Sequence, residues 1–109
     1  MFKVFEDNWK FKTSRYLDNG NNALMIVVTD EAGNEIEPYC VCSVNPGKTI
    51  PSDKIAVKDY SENTGMVEFL REQGIIEGEP TENIPSGFVN IPVFRLSRKG
   101  AELFSAETA

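Results

Sequence analysis

Acid–base chemistry at neutral pH is usually run by histidine, and this 109-residue chain has none. The burden would fall on carboxylates, tyrosine, lysine or thiols, and the best-placed group is Asp59, Tyr60, Ser61, Glu62 and Asn63. These five join a strand end to a helix start, the kind of corner where ligands bind in many α/β units. Ser61 has no histidine to activate it, which excludes a Ser-His-Asp hydrolase. A plainer role also accounts for the group: Ser61 and Asn63 are helix-capping types, while Asp59 and Glu62 would complement the positive end of the helix dipole. The sequence therefore assigns no catalytic residue and keeps Asp59, Ser61, Glu62 and Asn63 as an alternative ligand-binding or enzymatic corner.

Cys40 and Cys42 are the only thiols. Alternation along a strand puts both on one face, too close in sequence for an unstrained bridge. Both read as reduced and slow to react, hidden in a strand that lies between two others. Two cysteines without histidine cannot close a tetrahedral zinc site unless carboxylates or a second chain join them, so neither metal nor cofactor is expected. Gly47-Lys48-Thr49 follows a strand like the end of a phosphate-binding loop. Cys42, however, stands where that pattern needs its first glycine, and Ile50 and Pro51 replace the helix start that should collect phosphate charge.

Residues 9 to 16 alternate Trp9, Phe11, Thr13 and Arg15 with Lys10, Lys12, Ser14 and Tyr16. Binders of single-stranded nucleic acid combine stacking aromatics with cations that follow the backbone. Alternation instead places Trp9 and Phe11 opposite the lysines, as a core face with a solvated back. Direct nucleic-acid binding through this N-terminal basic strand is thus a secondary alternative.

Net charge is −6 and unevenly spread, with eight acids against three bases in residues 53 to 82. Glu68 and Glu72 fall one turn apart on the expected helix, and Glu77, Glu79 and Glu82 follow in an expected loop, so the five can share one exposed region. Concentrated negative charge favours cationic partners. The leading reading is a non-enzymatic accessory protein that binds a macromolecule, such as a basic or nucleic-acid-handling protein, through Glu68, Glu72, Glu77, Glu79 and Glu82.

The elements that would position these residues follow from periodicity and turn chemistry. Strands are expected over 9 to 16, 24 to 29, 36 to 45, 55 to 58 and 88 to 96. The unbroken Leu24-Met25-Ile26-Val27-Val28 marks a strand buried on both faces and hence central. Met66, Phe69 and Leu70 make an apolar helical stripe that should cover Ile26, Val28 and Val57, with Gly74 stopping the helix. Residues 77 to 87, with two prolines, two glycines and three acids, read as an exposed loop. Pro92 cannot donate to a ladder, which puts the last strand at an edge or at a bulge. The resulting fold class is α+β: a mostly antiparallel sheet of about five strands with one helix packed on a face, and a right-handed crossover if strands four and five are parallel.

With 40% apolar and 26% charged residues, the composition fits one globular domain, neither disordered nor fibrous. Residues 1 to 96 are expected to form that domain, and 97 to 109 a flexible tail with a short helical turn around Ala101 to Phe104 as its one element of order. The longest apolar runs fall far short of the roughly 20 residues that cross a bilayer, and the aromatic, acidic start does not resemble a secretory signal, so a cytoplasmic protein is expected.

From Pro38 to Leu96 the order of landmarks resembles a family of small uncharacterised domains carried on conjugative and other mobile elements of Gram-positive bacteria. The carrying segments are Pro38-Tyr39-Cys40-Val41-Cys42-Ser43-Val44-Asn45, the run from Asp59 through Phe69-Leu70 to Gly74-Ile75, and Ser86-Gly87-Phe88-Val89-Asn90-Ile91-Pro92-Val93-Phe94-Arg95-Leu96. The resemblance implies a mobile-element context and a small α+β fold, and it brings no catalytic residues.

Overall fold

The structure is a computed structural model that describes residues 2–108. In chain order it contains β1 (Trp9–Arg15), β2 (Asn22–Thr29), β3 (Glu35–Val41), β4 (Lys54–Ala56), a 3-10 turn (Ser61–Asn63), α1 (Met66–Glu72), β5 (Ile76–Ser86), β6 (Val89–Leu96) and α2 (Arg98–Thr108). The fold is α+β and its strands are antiparallel. In place of the single five-stranded sheet with one helix, there are two three-stranded sheets, ordered β1-β2-β3 and β4-β6-β5, and two helices. β4 pairs directly and antiparallel with β6, so the parallel crossover is absent.

β2 is central in its sheet, as its continuous apolar run dictates, with Ile26 opposite both Phe11 and Cys40. The two sheets meet where β3 ends. Cys42 donates its N–H to Leu24 O (2.8 Å) and accepts from Lys58 N–H (2.9 Å), while Val44 N–H reaches Ala56 O (3.1 Å). A bridge between Ser43 and Val57 completes this seam. One core results: Leu24, Ile26 and Cys42 from one sheet meet Ile55, Val57, Ile76, Phe94 and Leu96 from the other side, with Met66, Leu70 and Phe104 from the helices. A smaller cluster of Ile50, Ala56, Ile84, Ile91 and Val93 lies beside it.

Met66 and Leu70 pack with Ile26 and Val57 as the stripe requires, whereas Val28 is buried outside that cluster. Phe69 is half-buried and turns to an aromatic group: its ring lies 4.9 Å from Phe2, 5.8 Å from Trp9 and 6.3 Å from Phe11, centroid to centroid. Gly74, at φ +75°, ends α1 in a Schellman motif, with Ile75 N–H on Leu70 O and Gly74 N–H on Arg71 O (both 2.9 Å).

Three departures have physical causes. Residues 77 to 87, read as a loop, are mostly β5. It is an edge strand, where prolines are tolerated, and a register shift between Glu77 and Glu82 breaks the period of two. Pro92 lies in the central strand β6 rather than at an edge. Its carbonyl accepts Val57 N–H (3.0 Å), and the reciprocal N–H is missing, so the β4–β6 ladder stops there. In place of the tail expected over 97 to 109, residues 98–108 form α2, which packs on β1 and β6; Ala109 lies outside the described residues. Ser97 Oγ caps α2 by accepting Gly100 N–H (3.0 Å). Among the described residues no helix is long and apolar enough to cross a membrane.

Buried amides fasten the long 42–54 connection. Asn21, 3% exposed, donates Nδ2 to Lys48 O (2.8 Å) and accepts Ile50 N–H on Oδ1 (2.9 Å). Asn22 Nδ2 donates to Ser52 O and Lys54 O (2.9 Å each). Asn21→Ala should therefore leave a buried donor without its acceptor and cost about 1–3 kcal/mol in urea unfolding. An unchanged unfolding midpoint would show that this loop is held by other contacts.

Candidate functional site

The corner at 59 to 63 is built, and the side chains of Asp59, Glu62 and Asn63 are engaged within the fold. Asp59 rather than Ser61 or Asn63 caps α1: its two carboxylate oxygens accept Gly65 N–H (3.0 Å) and Val67 N–H (2.8 Å), neutralising the helix start. Glu62 forms an ion pair with Lys58 (2.6 Å), whose ammonium holds the Glu62 carboxyl below its usual range. That carboxylate in turn raises the Lys58 pKa. Asn63 is 1% exposed and donates Nδ2 to Val41 O (2.6 Å), tying the turn to β3. Ser61 sits at φ 54° and is exposed.

Five acids of the expected docking region separate into two groups. Glu68 and Glu72 are exposed on α1, and Glu77 is the second residue of β5, opposite Arg95; among the described residues none of the three has an ion pair. Arg71 ties α1 to β5 by donating to Gly78 O (2.8 Å) and pairing with Glu79 (3.2 Å). Glu82 departs from this group to pair with Lys48 of the 42–54 connection (3.0 Å). Lys48 is thereby committed, and the connection carrying Gly47-Lys48-Thr49 is followed by β4 rather than by a helix that could face a phosphate.

On β1 the cations are held by neighbours. Lys10 Nζ donates to Gly33 O (3.2 Å), Lys12 pairs with Glu35 (2.9 Å), and Arg15 donates to Asn22 Oδ1 (2.8 Å). Trp9 and Phe11 lie on the inward face, opposite Lys10 and Lys12, with their rings 5.2 Å apart.

The thiols differ from each other. β3 is an edge strand rather than a strand between two others; Cys42, just past it, is fully buried, whereas Cys40 is partly exposed. Both are free, and each shifts the other's ionisation. Cys42 pulls the Cys40 pKa down, opposed by partial burial and the charge of Glu62 and aided by Lys58. Cys40, with burial, drives the Cys42 thiol far up. Cys40 opens on a cavity of about 470 Å³ also lined by Phe2, Lys3, Phe5, Tyr39 and Asn63. Tyr39 Oη secures its outer wall by accepting Phe5 N–H (3.2 Å) and donating to Lys3 O (3.4 Å). Sequence reading missed this cavity because its walls come from segments more than thirty residues apart, with no local pattern linking them. Compared with protein-family models, curated proteins and solved structures, the chain matches none.

Proposed function

We propose that this chain is a non-enzymatic accessory protein that docks a basic macromolecular partner, of the nucleic-acid-handling kind, through α1 and the start of β5. The observation that carries this reading is the set of three exposed carboxylates without an ion pair among the described residues, Glu68 and Glu72 on α1 and Glu77 near the start of β5. Unpaired exposed charges project a field over roughly 8–10 Å at physiological salt and govern the rate and selectivity of encounter with an opposite surface. Support over the alternatives comes from contacts elsewhere: Asp59 caps a helix, Glu62 is in an ion pair, and Lys10, Lys12 and Arg15 each donate to a neighbour. The mobile-element context implied by the resemblance over residues 38 to 96 belongs to the same proposal.

Affinity capture from the native host with the wild type and with a Glu68→Lys, Glu72→Lys, Glu77→Gln variant tests it. Surface substitutions of this kind change stability by less than about 0.5 kcal/mol each. The variant should fold normally yet lose the captured partner, and wild-type capture should weaken as salt rises. Retention of the same partner at the same salt dependence would reduce the acidic region to a solubility feature.

A further inference from the structure

We propose that Asn19 is a modification site, where the side-chain amide is lost through a succinimide and the turn between β1 and β2 thereby releases the 42–54 connection. This inference is independent of the acidic docking region. Asn19 is the one asparagine of the chain that glycine follows, and glycine obstructs attack by its own backbone nitrogen least. Asn45 precedes Pro46, whose nitrogen carries no hydrogen, and every other asparagine precedes a residue with a Cβ. Gly20 is exposed, and a Cβ built there would meet nothing within 4 Å, so the site is not walled off. The Asn19 amide also has a structural task. Its Nδ2 donates to Asn45 Oδ1 (2.9 Å), which links this turn to the connection that carries Lys48.

In the first step Gly20 N gives up its proton and its electron pair attacks Asn19 Cγ. A bond forms between the two, the Cγ–Nδ2 bond breaks, and Nδ2 leaves as ammonia with the proton that Gly20 lost. Water then opens the ring. Its hydroxyl joins one of the two ring carbonyl carbons and its hydrogen returns to Gly20 N, giving an aspartyl or an isoaspartyl residue at position 19. Water is consumed and ammonia released, with no oxidant or reductant. The fold sets the rate. Gly20 N–H donates to Tyr16 O (2.8 Å), and a hydrogen-bonded amide gives up its proton only when that bond opens. Asn21 N–H on Asn19 Oδ1 (3.1 Å) polarises the carbonyl under attack, but the nucleophile is withheld until the turn opens locally. After conversion, a carboxylate oxygen faces Asn45 Oδ1 where a donor stood, and both are acceptors. The isoaspartyl product also lengthens the backbone two residues before Asn21, whose side chain holds Lys48 O and Ile50 N–H. Ammonia escapes to solvent, so the loosening runs one way.

The test holds the folded chain at mildly alkaline pH and physiological temperature, in parallel with the chain unfolded in guanidinium chloride. Peptide mapping at intervals reads conversion at each asparagine. Converted chain is then separated by ion exchange, and hydrogen exchange reads its Ile50 amide. Asn19 is expected to convert before any other asparagine in both samples, several-fold more slowly in the folded one. Asn45→Ala, which removes the acceptor for Asn19 Nδ2, should narrow that gap. Once Asn19 has converted, the Ile50 amide should exchange several-fold faster than in the unconverted chain. Three results would overturn the proposal: another asparagine converting first in the folded chain, equal rates in folded and unfolded chain, or Ile50 exchange unchanged by conversion. The wild-type comparisons keep the test decisive if Asn45→Ala fails to fold.

Discussion

Truncating Phe94 to alanine should remove about 3–5 kcal/mol of stability, a large part of the 5–15 kcal/mol typical of a domain. Phe94 is 1% exposed and heads the fully buried side chains by size. It stands on the central strand β6 opposite Ile55, within the cluster that holds Met66, Leu70 and Phe104. Its ring also seats the Arg71 guanidinium, 5.3 Å from the centroid, and Arg71 in turn fastens the β5 bulge through Gly78 O. The loss is therefore a cavity plus a displaced cation, and Arg71→Ala measured alone should account for the smaller share. Urea unfolding monitored by far-ultraviolet circular dichroism would read it. A change below about 1 kcal/mol would mean that the core collapses around the gap more freely than a packed interior allows.

Gly100→Ala should destabilise the fold even though alanine is the better helix former by about 0.8–1 kcal/mol. A Cβ there would lie 2.2 Å from Ile75 O and 3.3 Å from Leu96 Cδ2. Ile75 O cannot retreat at no cost, because it accepts Ser97 N–H at 2.9 Å. Overpacking against backbone costs about 1–3 kcal/mol or more and outweighs the gain in helix propensity. The expected result is a net loss of stability with α2 displaced, so that chymotrypsin cleaves faster at buried Phe104. A stabilised variant would show that α2 shifts along the sheet without resistance.

Much of the fold could be read from local chemistry. The central place of β2 followed from its unbroken apolar run, and the end of α1 followed from Gly74 and Ile75. Local reading failed where a distant partner decides the state. β5 is extended because β6 pairs with it, despite Pro80, Pro85 and a mid-strand register shift. α2 is helical with few apolar residues because Gly100 lets it approach Ile75 closely and Phe104 finds a place in the core. The acids of α1 and β5 were legible as a group, yet Glu82 was drawn away by Lys48, thirty-four positions earlier. At the 59–63 corner the residue types were read correctly as helix-start chemistry, but the cap fell to Asp59, since the intervening 3-10 turn moves Ser61 and Asn63 out of reach of the helix N–H groups.

The packing of α2 on β1 also sets the order in which the molecule can be completed. The helix is synthesised after the strands it touches, yet it covers β1, the first strand of the described residues. Contacts of such long sequence separation pay their loop-closure entropy before any reward arrives, which makes this closure a late and slow event. A nascent chain that has not yet extruded Ser97 and Gly100 leaves the carbonyls of Gly74 and Ile75 without their later hydrogen-bond donor and one side of Leu96 uncovered. During translation the two sheets can assemble before α2, and until α2 docks that unit carries an open apolar flank.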